Sequence, residues 1–168
     1  MTDTQLGFVG VLIGAVIALT SSFGLQYWMK QQEQSALKGA LRAEIAAIGE
    51  LAARREIGPA IDKAIESLGK TQTVMVPDIS VGREYFIVYT NNAAKIGLLD
   101  PRDAADVARF YIKASAVIED LNWLSSLSRK GSDEVAAELD KNDLQELKLL
   151  FNEATSLGND LSKRLGDS

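Results

Sequence analysis

The chain has 168 residues, a formal net charge of −5, and neither cysteine nor histidine. These absences exclude a disulfide, a Cys/His zinc site, a Ser-His-Asp triad and a cysteine nucleophile. The acidic balance argues against nucleic acid as a partner, and no glycine-rich phosphate-binding motif occurs. We therefore expect a non-enzymatic protein with no catalytic, metal or cofactor site.

The most prominent feature is an uncharged stretch near the N-terminus. Asp3 and Lys30 bracket it, and no charged residue lies between them. About 20 helical residues cross the hydrocarbon core of a bilayer. The sequence therefore predicts a short extracytoplasmic tail over residues 1–5 and a transmembrane helix over residues 6–29. A cleaved signal peptide fits less well, because the leader lacks Lys and Arg and the apolar run is too long. A soluble core helix seldom runs this far without a charge.

Basic residues lie on only one side of this predicted span. None precedes it, whereas Lys30, Lys38 and Arg42 follow it. The positive-inside rule then predicts a single-pass protein of the cytoplasmic (inner) membrane, with its N-terminus outside and its C-terminal domain in the cytoplasm. Tyr27 and Trp28, together with Lys30, are predicted to lie at the membrane interface, where aromatic rings and lysine are enriched.

Small residues recur along one face of the predicted span. They are Gly7, Gly10, Gly14, Ala18 and Ser22. Small side chains allow two helix backbones to approach closely in a bilayer. This helix-association seam predicts either a homo-oligomer or contact with a partner membrane helix. The alternative is that glycine and alanine are simply common in such helices.

Residues 30–168 are predicted to form a small antiparallel helical bundle, so the fold class is all-α. Apolar residues at helical spacing, with capping and breaking residues between them, predict helices over about 30–56, 59–69, 83–96, 101–129 and 133–165. Gly58-Pro59 separates the first two, Asp100-Pro101 begins the fourth, and Ser132 is the predicted cap of the last. Residues 71–90 remain open between a loop followed by a helix and a β-hairpin.

Three aspartates at the start of the fourth predicted helix could serve chemistry or structure. Asp100, Asp103 and Asp106 lie close in sequence, and the last two share a helix face. Carboxylates in this pattern could bind a divalent cation or transfer protons. The structural alternative is helix capping and stabilisation of the helix dipole, which we favour because metal sites need ligands from several elements.

The run from Tyr89 to Leu99, followed by Phe110-Tyr111, resembles a pattern in small, uncharacterised bacterial single-pass membrane proteins with a C-terminal helical domain. The matching residues are YTNNAAKIGLL and the later FY pair. The resemblance implies a bacterial origin and a helix over about residues 83–95. It implies no activity.

The leading functional hypothesis is a membrane-anchored, non-enzymatic interaction or scaffold module with a cytoplasmic helical domain. Its expected partners are the lipid bilayer, a second membrane helix and an unidentified protein, because tethering at a membrane raises the effective concentration of a bundle's binding faces. A phage-type envelope or lysis protein with a periplasmic helical domain is one alternative. An accessory subunit of a larger membrane complex is another.

Overall fold

A computed structural model describes the backbone of residues 3–70, 83–128 and 139–166, and side chains within residues 24–68, 85–127 and 139–166. Across those backbone ranges the chain forms five α-helices and two short 3-10 helices, and it contains no strand. The predicted all-α class is confirmed for this part of the chain. Residues 71–82, the larger part of the region left open between loop and hairpin, lie outside it, whereas Tyr85 to Thr90 are helical.

The α-helices are α1 (Asp3–Arg54), α2 (Ile57–Lys70), α3 (Ile87–Asn92), α4 (Pro101–Ser128) and α5 (Lys141–Arg164). The 3-10 helices Arg83–Phe86 and Ala93–Leu98 flank α3. Residues 83–98 are thus helical, whereas the spacing predicts one helix over about 83–96, and they alternate between two helix types.

The turn between α1 and α2 depends on a residue in the left-handed region. Glu56 has a φ of 52°, and its N–H donates to the Ala53 carbonyl at 3.0 Å. Its own carbonyl accepts the first α2 bond, from the Ala60 N–H, at 2.9 Å. The second helix therefore begins at Ile57, before the predicted start, and Pro59 lies within its first turn, where a proline needs no N–H donor.

The last helix begins at a different cap from the predicted one. The Asp140 side chain accepts from the Asn142 N–H at 3.4 Å, and the Asp140 N–H donates to the Asp143 carboxylate at 3.2 Å. This reciprocal pair is a capping box, which satisfies N–H groups left over at a helix start. Leu139 and Asp140 are not helical. The predicted cap Ser132 and the start at residue 133 lie outside the described residues.

The chain consists of two compact units, Met1–Leu37 and Lys38–Ser168. In the second unit α4 and α5 run antiparallel. The Arg164 guanidinium, at the end of α5, lies 2.6 Å from the Asp106 carboxylate near the start of α4. Further along α4, Lys113 pairs with Glu153, an earlier residue of α5. Residue numbers in these pairs thus increase along α4 and decrease along α5, as in antiparallel helices.

The part of α1 in the second unit runs parallel to α4, contrary to a uniformly antiparallel bundle. Lys38 lies 3.5 Å from Asp100, which directly precedes α4. The later α1 residue Glu44 contacts Tyr111, which is also later in α4, so the two helices point in the same direction. Lys148 on α5 reaches α2, where its ammonium lies 2.8 Å from Asp62. These pairs give a helical bundle in which α5 lies against both α2 and α4.

The predicted apolar stripe of α4 lies in the core of this unit, with buried residues from α1, α2 and α5. On α4 every residue of the stripe is buried, namely Val107, Tyr111, Ala114, Ile118, Leu121 and Leu124. Leu41, Ile61 and Leu161 from three other helices have no exposed side-chain surface. Burying a leucine or isoleucine side chain stabilises the folded state by about 1.5–3 kcal/mol relative to exposure. Burial of these side chains is therefore the main force that holds the bundle together.

A glycine permits close packing between α4 and α5. A Cβ placed on Gly158 would lie 2.8 Å from Cε2 of Phe110 and 3.5 Å from Cγ2 of Ile45. The first distance is shorter than a normal carbon–carbon contact of about 3.5–4.0 Å. Gly158 is therefore required here for packing rather than for backbone freedom.

Candidate functional site

An apolar depression in the described second unit lies among the C-terminal part of α1, α4 and α5, and we call it the apolar groove. Its volume is about 270 Å³. Most of its lining is aliphatic or aromatic, and it includes Ile45, Ile48, Leu51, Ile57, Tyr85, Phe110, Ala114, Val117, Ile118, Leu121, Phe151 and Ala154. Such a surface favours apolar ligands over charged ones.

The groove exists because small residues occupy positions where larger ones would fill it. Gly49 lines the groove, and a Cβ built on it would meet no atom within 4 Å. Ala46 and Ala52 lie on the same helix, and Ala114 and Ala154 lie on the facing helices. The alanine-rich composition of α1 thus leaves an open space beside an otherwise close-packed core.

Polar groups are confined to a few positions around the groove. The Arg55 guanidinium donates to the Tyr85 hydroxyl at 3.5 Å, and both residues line it. Glu50 also lines it, but its carboxylate is paired with Arg54 at 2.6 Å. The Thr155 hydroxyl donates to the Phe151 carbonyl at 2.8 Å. The groove thus combines apolar walls with a small number of polar side chains.

A second polar cluster joins α1 to α3. The Glu44 carboxylate accepts from the Val88 N–H at 2.6 Å, from the Tyr89 N–H at 3.1 Å and from the Tyr111 hydroxyl at 2.5 Å. The two N–H groups belong to the first turn of α3, which has no partner for them within the helix. Glu44 therefore caps α3 from a distant part of the chain and holds it against α4.

Aromatic rings complete this cluster. Tyr89 stacks on Tyr111 with ring centroids 4.0 Å apart, and Phe86 and Phe110 meet Tyr111 edge-on at 5.4 and 5.2 Å. Burial, with the nearby Glu44 carboxylate, raises the pKa of the Tyr111 hydroxyl well above its usual value. Tyr111 therefore stays protonated as a donor, which fits a structural contact rather than proton transfer.

The three aspartates of the α4 start are bound by basic side chains. Asp100 pairs with Lys38, and Asp106 with both Arg109, at 3.2 Å, and Arg164. Asp103, which is buried, lies 3.5 Å from the Arg164 guanidinium. Within the described residues no group of three potential metal-ligating side chains converges. The aspartates connect the beginning of α4 to α1 and to the end of α5.

An acidic patch lies at the other end of the α4–α5 pair. Partial burial raises the pKa of Asp120, and Glu119, Asp143 and Glu146 raise it further by charge repulsion. Trp123 lies beside this patch and is partly exposed. Ionisation of Asp120 is therefore less favourable in the folded chain than in the unfolded chain.

The predicted membrane residues fall in the first unit. The seam residues Gly7, Gly10, Gly14, Ala18 and Ser22 lie outside the residues whose side chains the structure describes. Tyr27, Trp28 and Lys30 are exposed, and the Tyr27 hydroxyl accepts from the Gln31 side chain at 2.9 Å.

Where side chains are described, we find no helix with a stretch both long and apolar enough to cross a membrane. The transmembrane helix over residues 6–29 stays a prediction. Its residues 6–23 lie outside the described side chains.

Sequence reasoning missed the roles of Glu44, Gly49 and Arg164. Glu44 directly precedes Ile45, a residue of the apolar stripe of α1. This position was the sequence signal that the Glu44 carboxylate could contact a buried group such as Tyr111. Gly49 sits in an alanine-rich helix and has no distinguishing neighbour. Arg164, in the last turn of α5, fits a role at the helix dipole, and its pairing with Asp103 and Asp106 depends on how two helices pack.

No protein-family model matches the chain, and no curated protein or solved structure is similar enough to it to match.

Proposed function

We propose that the protein is a membrane-anchored, non-enzymatic interaction or scaffold module. The observation that supports this most is a set of large exposed apolar side chains at the end of the uncharged stretch. Leu25, Tyr27, Trp28 and Met29 are exposed by 58, 67, 57 and 57%. Lys30 follows them directly. This order of apolar run, aromatic pair and lysine is typical of a membrane interface.

Exposure of these side chains to water is unfavourable. Each Å² of apolar surface removed from water contributes about 25 cal/mol, so four large residues offer several kcal/mol to any apolar environment. A bilayer supplies that environment along the whole uncharged run. The same helix, α1, continues from this run to Arg54, so no loop separates the proposed anchor from the bundle's first helix.

The interaction role follows from what the bundle offers and lacks. The chain has no histidine or cysteine, and its polar clusters are engaged in structural pairs. Tethering would concentrate the helix faces of residues 38–166 at the membrane, where a protein partner could bind. The seam through Gly10 and Gly14 would join two anchors, or one anchor and a partner helix.

The first experiment tests anchoring and orientation together. Membranes that contain the full chain are washed with carbonate, and we expect full-length protein to remain in them. The chain has no cysteine, so Gly39→Cys provides a single label site on an exposed position with open space around it. A membrane-impermeant maleimide should label it in inside-out vesicles only.

Two results would contradict the proposal. Release of the protein by carbonate would show that residues 6–29 do not anchor it in the membrane. Labelling only in right-side-out vesicles would place the bundle in the periplasm, which favours an envelope or lysis function instead.

The seam is tested in a membrane dimerisation reporter. Gly14→Ile places a bulky side chain on the seam and should weaken association, because close backbone approach supplies the attraction. Leu12→Ile, on the opposite face, is the matched control and should leave association unchanged. Equal association of both variants would mean that the glycines have no role in it.

A further inference from the structure

We propose that the apolar groove binds a single-chain amphiphile, with its aliphatic chain between α1, α4 and α5 and its acidic head near Arg55. The groove lies within residues 45–162, so this inference is independent of the proposed anchor at residues 6–29. It would hold even if the chain never entered a membrane.

The size and lining of the groove favour a single aliphatic chain as the apolar part of the ligand. A dry apolar cavity of about 150 Å³ holds one benzene molecule, so 270 Å³ accommodates a chain of about ten carbons. Ile48, Val117 and Phe151 supply apolar walls on three helices. Two acyl chains would need about twice this volume, which argues against an intact phospholipid.

The few polar groups that line the groove favour an acidic head group on the amphiphile. Arg55 and the Tyr85 hydroxyl lie together on the lining, 3.5 Å apart, and both can donate to a carboxylate. The nearby Glu50 carboxylate pairs with Arg54 at 2.6 Å. An acidic head is therefore attracted at this position, and the chain then extends over the apolar walls.

Gly49 allows a selective test. A Cβ added there meets no atom within 4 Å, and Gly49 lines the groove, so we expect the side chain of Gly49→Leu to occupy part of the groove. Gly39→Leu is the matched control, because Gly39 lies on the same helix, also has open space and does not line the groove. Ala46→Phe is a second groove-filling variant in case Gly49→Leu does not fold.

The probe is a ten-carbon fatty acid with a photoreactive diazirine near its terminal carbon, added to the full chain in lipid nanodiscs. Mass spectrometry of the cross-linked peptides separates labelling of the groove from labelling of residues near the bilayer. We expect labelling at groove residues, reduced about tenfold by Gly49→Leu and unchanged by Gly39→Leu. Unlabelled decanoate should compete.

Several outcomes would overturn the proposal. These are equal labelling of the groove in wild type and both filling variants, labelling confined to residues outside the groove, or equally efficient labelling by a two-chain phospholipid probe. The head is tested with Arg55→Gln, which should reduce labelling by the fatty acid more than labelling by the corresponding alcohol. Equal reduction of both would refute the assigned head position.

Discussion

Two stretches of the same helix, α1, differ in how far their apolar side chains are exposed. Leu41 and Ile45 are exposed by 0 and 2%, whereas Trp28 and Met29 are each exposed by 57%. In the first stretch apolar residues recur at helical spacing, so they share one face that packs on α4 and α5. In the stretch that contains Trp28 and Met29, apolar residues are consecutive in sequence, so they are distributed around the helix and share no single face. Spacing, more than apolar content, decides which side chains the chain's own fold buries.

The largest expected effect separates buried from exposed apolar residues. Leu121, exposed by only 1%, lies in the bundle core. Leu121→Ala should lower the free energy of unfolding by about 2–5 kcal/mol, because it removes buried surface and leaves a cavity. Trp28→Ala should change it by less than about 0.5 kcal/mol. Chemical denaturation of the full chain, followed by circular dichroism, measures both, and similar losses would remove the distinction between the two stretches.

The next effect concerns the close contact at Gly158. Gly158→Ala places a methyl group 2.8 Å from the Phe110 ring, so stability should fall by about 1–3 kcal/mol. Gly39→Ala is the matched control on α1, where the new methyl meets nothing, and stability should rise by up to about 1 kcal/mol. If both variants become more stable, the contact between α4 and α5 is looser than described.

The Glu44–Tyr111 contact should contribute less. Tyr111→Phe loses a hydrogen bond to a carboxylate and should lower stability by about 1–2 kcal/mol at neutral pH. The raised pKa of Tyr111 means that the folded chain holds this proton more tightly than the unfolded chain. Its contribution to stability is therefore complete below about pH 10 and is lost as the pH rises above it.

Denaturation curves of wild type and Tyr111→Phe, recorded from pH 7 to 11, test this dependence. We expect the difference between the two proteins to shrink at the alkaline end. A constant difference across the range would show that the hydroxyl is not held by Glu44.

The smallest effect is a gain in stability. The pKa of Asp120 is raised by burial and by neighbouring carboxylates, so its ionised form is less favourable in the folded chain than in the unfolded one. Stability should therefore rise as the pH falls through the folded pKa of Asp120. Asp120→Asn should stabilise the chain slightly at pH 7 and remove that part of the pH dependence, whereas a loss of stability would indicate a role for the charge.

Local patterns predicted the helices, and distant contacts escaped prediction. The α4 stripe from Val107 to Leu124 repeats at helical spacing, so its buried face follows from the sequence alone. The capping of α3 by Glu44, 44 residues away from Val88, depends on how α1 and α4 pack. The groove beside Gly49 depends on the same packing. Leu139 and Asp140 interrupt the helix that was predicted over residues 133–165, because the Asp140 side chain caps a helix that begins at Lys141.

The central proposal is that the continuous apolar run of α1 lies in a bilayer, whereas the periodic stretch packs within the bundle. Single-cysteine accessibility in sealed inside-out vesicles tests it most directly, since the chain has no cysteine of its own. Val16→Cys should resist a water-soluble maleimide until detergent and denaturant are added, whereas Gly39→Cys should react at once. Rapid labelling of Val16→Cys in intact vesicles would contradict the account.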